Sequence, residues 1–247
     1  MDPGERGHDL LTPADVRRLL VSHGIAPRKA AGQNFVVDAN TVRKIVRDAG
    51  VEPHDVVLEV GPGLGSLTLA LAEAAARVAA VEVDAGLVAA LAEVLEGVTN
   101  VEVVHADALR TDLGDVVGGG PARFIANLPY NVATPLVLDV LANEAFTDLF
   151  VMVQREVGQR WAADVGDELY GAVSVKIALA ARAEIAAQVP RTVFHPVPKV
   201  DSVTVRIRRR PDAPSRDERA RIARVVDAAF GQRRKTLRNS LRAVAEP

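Results

Sequence analysis

Short apolar runs alternate with helical segments throughout residues 55–154, and this alternation constrains the fold more than any other feature of the chain. Strands that alternate with helices along a sequence form a parallel sheet with helices packed on both faces. In such sheets, ligands bind beyond the carboxyl ends of the strands. The sequence therefore predicts an α/β fold with a site at that edge. The predicted strands are 55–60, 77–84, 100–107, 122–130 and 148–154, and the helices between them are 66–76, 85–95 and 134–144.

Helix and strand signals also flank this region. Thr12 and Pro13 begin an amphipathic segment that Gly24 ends, and a second apolar stripe of helical spacing ends at Gly50. Residues 200–210 alternate strictly between apolar and polar, so we expect a half-buried antiparallel strand. The predicted helices are 12–24, 38–50, 215–230 and 231–244. A boundary near 211 separates a main domain (1–211, with N-terminal helices in 1–50) from a small basic helical domain (212–247).

Composition excludes several classes of protein. The 247 residues are 49% hydrophobic and 25% charged, a globular balance that supports a sizeable core. The absence of cysteine excludes disulfides and thiolate metal sites, and the five histidines lack metal-ligand spacing. No apolar run reaches the ~18–20 residues of a membrane span, and the N-terminus lacks the apolar segment of a signal peptide. We expect a cytoplasmic protein that uses neither a metal nor a membrane.

Charge is distributed unevenly along the chain. The net charge of −2 alone argues against a nucleic-acid partner. However, residues 191–247 contain 15 Lys and Arg against 6 Asp and Glu, whereas residues 1–190 contain 15 against 26. A basic end on an otherwise acidic chain indicates either a polyanion-binding surface or a solvated helical face. Charge alone leaves both interpretations open.

A glycine-rich turn, LEVGPGLGSLT (58–68), follows the first predicted strand. Its G-x-G-x-G spacing differs from the G-x-G-x-x-G of dinucleotide enzymes, because Ser66 stands where those enzymes have their third glycine. Glu82 and Asp107 end the next two strands, where carboxylates can accept hydrogen bonds from ribose hydroxyls and an adenine amine. Each acid alone could instead be solvated or cap a turn. Together they predict an adenosine-type ligand, either a nicotinamide dinucleotide or S-adenosylmethionine.

The fourth predicted strand ends in ANLPYN (126–131). A purine amine is a poor nucleophile because its lone pair is delocalised, and two acceptors aimed at its hydrogens favour the nucleophilic form. Asn127 offers a side-chain carbonyl and Leu128 a backbone carbonyl, while Pro129 cannot donate to a strand ladder. Tyr130 offers a face on which a base can stack. The motif predicts a clamp for a purine amine opposite a methyl donor, which favours S-adenosylmethionine.

These motifs resemble those of the ribosomal RNA adenine dimethyltransferase family, above all its bacterial small-subunit (16S) branch. The resemblance spans about residues 30–241. Its motifs are specific, because a generic methyltransferase would share only the glycine turn and the acids. The matching segments, in order, are GQNFVVD (32–38), EVGPGLGSLT (59–68), VEVD (81–84), ADAL (106–109), NLPYN (127–131), VMVQREV (151–157), YGAVSV (170–175), VFHPVPKVDS (193–202) and FGQRRKTLRNSL (230–241).

The resemblance implies a Rossmann-like class I methyltransferase sheet and a set of site residues. It implies that the cofactor S-adenosylmethionine, and the product S-adenosylhomocysteine, contact Gln33, Asn34, Val36, Gly61, Gly63, Glu82, Asp107, Ala108 and Asn127. Asn127, Leu128, Pro129 and Tyr130 would hold the target adenine. Phe194 would stack on the flipped base from the other side. It could instead be an ordinary core residue, but the neighbouring prolines favour a rigid exposed loop.

The implied reaction is dimethylation of N6 on two adjacent adenines in the 3′-terminal hairpin of small-subunit rRNA, with a role in ribosome biogenesis. The implied partners are this RNA and the immature 30S subunit, and the implied state is a monomer. The basic segment would then contact phosphates. The candidate RNA-binding residues are Arg206, Arg208, Arg209, Arg210, Arg233, Arg234, Lys235 and Arg238, and Lys199 and Arg191 extend this patch.

The sequence departs from the family pattern in two places. Val36 replaces the more usual Leu after QNF, and the chain ends soon after RNSL. We therefore expect either a trimmed or disordered ending or a reduced C-terminal domain. Three other functions compete. A 23S adenine methyltransferase of the macrolide-resistance type would tend to have Ile at 128 and lack the FGQRRKTLRNSL ending. A non-catalytic assembly factor would not need the amine clamp. A nicotinamide dehydrogenase would need G-x-G-x-x-G.

Overall fold

The computed structural model describes residues 10–27, 32–129, 131–232 and 235–245. Within these ranges the strands are β1 (Phe35–Val36), β2 (Val56–Val60), β3 (Arg77–Glu82), β4 (Val101–His105), β5 (Ala122–Asn127), β6 (Phe146–Gln154), β7 (Ala181–Val189), β8 (Phe194–His195) and β9 (Ser202–Arg209). The helices are α1 (Pro13–Ser22), α2 (Ala39–Ala49), α3 (Ser66–Ala74), α4 (Ala85–Val94), α5 (Leu113–Val116), α6 (Ala133–Ala142), α7 (Arg155–Trp161), α8 (Ala172–Ala180), α9 (Arg216–Phe230), α10 (Leu237–Ser240) and α11 (Arg242–Ala245).

A seven-stranded sheet in the order β4-β3-β2-β5-β6-β9-β7 forms the centre of the molecule. The strands β2 to β6 pair in parallel, as their alternation with helices predicts. Strand β9 pairs antiparallel with both β6 and β7, so the predicted antiparallel strand is confirmed. The expectation that it is half-buried is wrong for its first half. Residues 202–205 are buried because β9 lies inside the sheet with helices over it.

Helices cover both faces of the sheet, and each face has its own apolar core. One core lies between one face of the sheet and the four helices α1, α2, α3 and α4, and it includes Leu19, Ile45 and Leu91. The other core includes Leu136 of α6 and Ile177 of α8, packed on the opposite face. An α/β sheet with helices on both faces is therefore confirmed. Polar ligands can approach only at the strand ends, because both faces are closed.

The N-terminal helices begin and end where their capping residues predict. Thr12 and Asp15 form a reciprocal capping box at the start of α1. Asp38 caps α2, and Gly50 ends it in the left-handed conformation. The buried residues of α2 are Val42, Ile45, Val46 and Ala49, the predicted apolar stripe. Local sequence signals therefore position the segment that precedes the sheet.

The sequence patterns do not predict two features of the fold. The first is a two-stranded ribbon, separate from the main sheet, in which β1 pairs antiparallel with β8. The second is the block α7, α8 and β7, which completes the sheet beyond β9. The ribbon strands have only two residues each, so hydrophobic periodicity has too few positions to detect them.

The C-terminal helices pack against the main body of the chain. Lys176 of α8 forms an ion pair with Asp227 of α9 at 2.6 Å, and the rings of Tyr170 and Phe230 meet edge to face. The predicted helix over 231–244 is wrong as a single element, because the structure has two four-residue helices, α10 and α11, on either side of Leu241. The domain boundary near 211 stays a prediction. None of the described helices is long and apolar enough to cross a membrane.

Candidate active site

A deep pocket lies at the carboxyl ends of β2, β3 and β5, the edge at which parallel sheets bind ligands. The N-terminal segment that ends in β1 closes one side of this pocket, and the loop after β5 closes another. Most of the predicted cofactor and substrate residues line it together. These are Gln33, Asn34, Val36, Gly61, Gly63, Glu82, Asp107, Ala108, Asn127, Leu128 and Pro129.

The glycine turn forms the floor of the pocket. Gly61 and Gly63 have φ of +72° and +60°, a left-handed conformation that side chains rarely adopt. A Cβ on Gly63 would lie 2.9 Å from Cε1 of Phe35. The glycine at 63 therefore serves two needs, a left-handed turn and close packing of the N-terminal segment above it. Position 63 tolerates no side chain without displacing this N-terminal segment, residues 32–36, which we call the pocket cover.

Glu82 lies at the end of β3 and is tied to the turns around it. Its Oε2 accepts a hydrogen bond from the Gly63 N–H at 3.2 Å, and its Oε1 accepts from the N–H groups of Val83 and Asp84. Burial raises the pKa of the Glu82 carboxyl, and these backbone donors oppose the rise. A carboxylate has about four acceptor positions, so Glu82 can still accept from a ligand hydroxyl.

Asp107 is more open than Glu82. Its Oδ1 accepts from the Leu109 N–H at 3.0 Å, and its Oδ2 lies 3.5 Å from Nε of Arg110. The side chain is 45% exposed. Asp107 therefore caps a turn after β4 and also presents a carboxylate to the pocket. The predicted role as a ligand acceptor and the alternative role as a turn cap are compatible.

Glu59 also lines the pocket, although it is not among the predicted site residues. It precedes the glycine turn on β2, is 1% exposed, and its Oε2 has no hydrogen-bond partner. Burial raises the pKa of Glu59 to about 8; the nearby Thr68 hydroxyl opposes this rise, and the charge of Glu82 adds to it. The signal in the sequence is an acid in the middle of a buried parallel strand, where charged residues are rare.

Side-chain to backbone hydrogen bonds attach the N-terminal segment to the pocket. Ser66 Oγ donates to the Val36 carbonyl at 2.7 Å, and Asn127 Nδ2 donates to the Asn34 carbonyl at 3.2 Å. The Val37 N–H donates to the Val193 carbonyl beside the β1–β8 ribbon. Residue 66, where dinucleotide enzymes have a small glycine, thus has a hydroxyl that secures the pocket cover.

The loop after β5 presents two oxygen acceptors at the pocket. Because Asn127 Nδ2 is committed to Asn34, its Oδ1 is the atom left to accept from a ligand. The Leu128 N–H donates to Met152, and among the described residues no donor occupies the Leu128 carbonyl. Pro129 Cδ lies 3.4 Å from the position of a Cβ on Gly61, so the loop packs on the glycine turn. Tyr130, the predicted stacking residue, lies outside the described residues.

The prediction that Phe194 lies in an exposed loop is wrong. Phe194 is 2% exposed and belongs to the core on the α1–α4 side, and its strand β8 pairs with Val36. The physical reason is the β1–β8 ribbon, which draws the segment before the prolines against the pocket cover. In this conformation Phe194 supports the ribbon and does not present a face to a base.

The structure corrects part of the predicted basic surface. The Arg206 side chain is 13% exposed, bonds Asp148 and the carbonyls of residues 48 and 49, and lies over the Phe150 ring. Arg209 donates to three backbone carbonyls, those of residues 141, 143 and 146. Both guanidiniums hold the fold together and are not free for phosphates. Arg210 is held by Asp212 and the Ala178 carbonyl.

Other basic candidates remain accessible. Arg208 is 64% exposed and has only a 3.7 Å contact to Glu184. Lys199, Lys235 and Arg238 are also exposed. Arg191 Nη1 donates to the Lys199 carbonyl, which joins two of the candidates. Arg233 and Arg234 lie outside the described residues.

The pocket is suited to a cationic ligand. Its acidic lining residues are Glu59, Glu82 and Asp107, and no Lys, Arg or His of the described residues lines it. Glycine backbone, apolar side chains and a ring of acceptors complete it. In the part of the chain that the structure describes, no cluster of His, Asp and Glu could hold a metal ion.

The match to a family model is decisive. Residues 25–246 match the model described as ribosomal RNA adenine dimethylase. The chain belongs to this family. The "Ribosomal RNA small subunit methyltransferase A" of Thermobifida fusca is 53% identical over 243 residues, which cover 94% of this chain and 82% of that protein. The protein of the same name from Leifsonia xyli is 52% identical, with 94% and 84% covered.

Solved structures of family relatives have the same fold. The 23S rRNA methyltransferase ErmE aligns with a TM-score of 0.70 and 31% identity over 84% of this chain and 83% of that one. A dimethyladenosine transferase from Plasmodium falciparum aligns with a TM-score of 0.70 and 29% identity over 84% of this chain and 75% of that one. The class I methyltransferase fold predicted from the motifs is confirmed.

Proposed function

We propose that this protein is an S-adenosylmethionine-dependent enzyme that dimethylates N6 of two adjacent adenines in the 3′-terminal hairpin of small-subunit rRNA. The observation that supports this most is a pair of acceptors, Asn127 Oδ1 and the Leu128 carbonyl, to which no described residue donates, at the edge of an acidic adenosine-type pocket. The names of the relatives in the family support the RNA and the base.

The pocket residues provide contacts for each part of the cofactor. Glu82 accepts from the ribose hydroxyls, and Asp107 accepts from the adenine amine beside Ala108. The turn at Gly61 and Gly63 lets the ligand approach the backbone closely. Gln33, Asn34 and Val36 cover the methionine end. The acceptors and carboxylates of this site fit a cationic nucleoside without a metal.

The chemistry of this site depends on positioning. When bound, S-adenosylmethionine supplies a methyl group on a sulfonium, and transfer of that methyl leaves a neutral thioether. Asn127 Oδ1 and the Leu128 carbonyl accept from the two N–H groups of the target amine, which directs its lone pair toward the methyl carbon. The amine gives up one proton at each transfer, and the newly methylated nitrogen is acidic enough to release it without a strong base. The protein lowers the barrier mainly by orientation and preorganised dipoles.

The exposed basic residues of the C-terminal third would hold the RNA. Arg208, Lys199, Lys235 and Arg238 are accessible and lie in the net positive segment. Phosphate contacts fix the register of the RNA, and the pocket selects the base. We further propose that the protein acts in the cytoplasm, as a monomer, on partly assembled small subunits.

The test is methyl transfer from labelled S-adenosylmethionine into small subunits that lack the modification, followed by mapping of the modified nucleotides. Wild-type protein is expected to form two adjacent dimethyladenosines near the 3′ end, and Asn127→Ala to lose at least about 100-fold in rate. Cofactor affinity of the variant is measured in parallel, because Asn127 also holds the pocket cover. Large subunits are offered in a parallel reaction, where label in their RNA would instead indicate a 23S enzyme. No transfer to either subunit, with cofactor binding intact, would contradict the proposed reaction and favour an assembly factor.

A further inference from the structure

Glu59 is the one lining carboxyl whose Oε2 is buried without a hydrogen-bond partner among the described residues. It is almost inaccessible to water, and the Thr68 hydroxyl beside it is neutral, so it cannot compensate a full negative charge. An ionised carboxylate in such a place is costly unless a positive charge compensates it. No Lys, Arg or His of the described residues lines this pocket, so the protein supplies no such charge there. The compensating charge has to come from the ligand.

The surroundings of Glu59 keep it protonated before the ligand arrives. Glu82, from β3, is the titratable group that acts on it, and its negative charge disfavours a second one nearby. The α3 helix contributes only the neutral Thr68, and Asp107 is the remaining acid of the pocket. Burial is the largest cause of the raised pKa of Glu59, about 8, so the protonated form prevails at pH 7.

We propose that Glu59 distinguishes the cationic cofactor from the neutral product by losing its proton when the sulfonium enters the pocket and regaining it after methyl transfer. This inference rests on the proposed function. The cofactor has one methyl group and one positive charge more than the thioether product, and the two molecules are otherwise the same. A positive charge in a low-dielectric pocket favours the ionised carboxylate, and loss of that charge favours the protonated form.

The proton and the charges balance through a full cycle. Cofactor binding would release a proton from Glu59 to solvent and leave a carboxylate in the same pocket as the positive charge. Methyl transfer removes the sulfonium charge, and Glu59 takes a proton back from solvent. The product is then held without the attraction that held the cofactor. Four methyl transfers to two adenines need repeated exchange of product for cofactor, which this difference in affinity favours.

Isothermal titration calorimetry in buffers of different ionisation enthalpy measures the proton count directly. We expect S-adenosylmethionine to release about 0.5–0.9 proton at pH 7, and S-adenosylhomocysteine clearly fewer. Between pH 6 and pH 8 the affinity for S-adenosylmethionine should rise about tenfold relative to that for S-adenosylhomocysteine. The amino group common to both ligands cancels in this comparison.

Glu59→Gln keeps the shape and the neutral state of the carboxyl, so it should bind both ligands without the extra proton release. Glu184→Gln is the matched control, because Glu184 is an exposed acid on β7 outside the pocket and its loss should preserve the proton release. Release that persists in Glu59→Gln, or that disappears equally in Glu184→Gln, would overturn the inference. Failure of the wild-type protein to bind S-adenosylmethionine would instead contradict the proposed function, so the two failures are distinguishable.

A second measurement avoids reliance on a variant. In wild-type protein with ¹³C-labelled Glu carboxyls, one resonance should titrate near pH 8 in the free state. Addition of S-adenosylmethionine should lower that midpoint by at least one pH unit, and addition of S-adenosylhomocysteine should leave it near its original value. Equal effects of the two ligands would overturn the inference.

Discussion

At the scale of single residues, the glycine turn shows how backbone conformation and packing act together. Gly63 needs a left-handed φ, and Phe35 occupies the space where a side chain would be. Gly97 also has a left-handed φ, +83°, but nothing lies within 4 Å of its Cβ position. The two glycines therefore separate the cost of backbone strain from the cost of displacing the pocket cover.

We predict that Gly63→Ala weakens cofactor binding by at least tenfold, whereas Gly97→Ala leaves it unchanged. Each substitution should lower the free energy of unfolding by about 1 kcal/mol through strain at positive φ. Gly63→Ala should cost more, because Phe35 has to move. Calorimetric Kd values and urea unfolding measure the two effects. Equal losses of affinity in both variants would show that contact with Phe35 is unimportant.

At the scale of elements, a network of charges attaches α2 to the edge of the sheet opposite the pocket. Asp148 on β6 pairs with Arg123 at 2.7 Å and with Arg206 at 3.0 Å, and Arg123 also pairs with Asp55. Both arginines donate to carbonyls at the C-terminal end of α2. The network thereby satisfies carbonyls that helix ends leave without partners.

We predict that Arg206→Ala lowers the free energy of unfolding by about 2–3 kcal/mol, because it removes these hydrogen bonds and leaves Asp148 less compensated. Arg208→Ala on the same strand should change it by less than about 0.5 kcal/mol, since its contact to Glu184 is exposed. RNA affinity should respond in the opposite way. Arg208→Ala should reduce the salt dependence of RNA binding by about one phosphate contact.

Urea unfolding and RNA titration over a range of salt concentrations check this pair of variants. If Arg206→Ala weakened RNA binding without loss of stability, the structural assignment of Arg206 would be wrong. If neither variant changed RNA binding, the RNA surface would have to lie elsewhere, and Lys235 and Arg238 would be the next described residues to replace.

At the scale of the whole molecule, Glu59 makes the stability depend on pH. Its folded-state pKa, about 8, lies above its ordinary value of 4.5, so the folded protein binds more protons than the unfolded chain between these values. Stability is therefore greatest near the lower end of this window and falls as the pH rises toward 8. Burial also raises the pKa of Glu82, which acts in the same direction.

We predict that replacing Glu59 by Gln removes a loss of stability on the order of 4 kcal/mol between pH 5 and pH 8. Glu184→Gln, on the exposed side of β7, is the control and should preserve the wild-type pH dependence. The measurement is the free energy of urea unfolding at intervals across this range. Parallel curves for wild type and Glu59→Gln would show that Glu59 is ionised in the folded protein.

The sequence by itself determined the parallel strands, most of the helices between them and most of the pocket. The strand–helix alternation predicted the parallel sheet, and residues at successive strand ends, such as Gly61, Glu82, Asp107 and Asn127, had to meet at one edge. This works because parallel strands direct all their carboxyl ends the same way. Capping residues such as Thr12 and Gly50 fixed helix ends through interactions a few residues apart.

Only the tertiary structure decided which side chains are accessible to a cofactor, a base or RNA. Phe194 is buried in the core because its strand β8 pairs with β1. Arg206 is held inside the protein by Asp148, 58 residues away, and by backbone carbonyls at the end of α2. Glu59 likewise became a buried acid without a counter-charge because of what packs around β2. Burial and pairing of this kind depend on contacts between distant segments. Residue type and local spacing do not encode them.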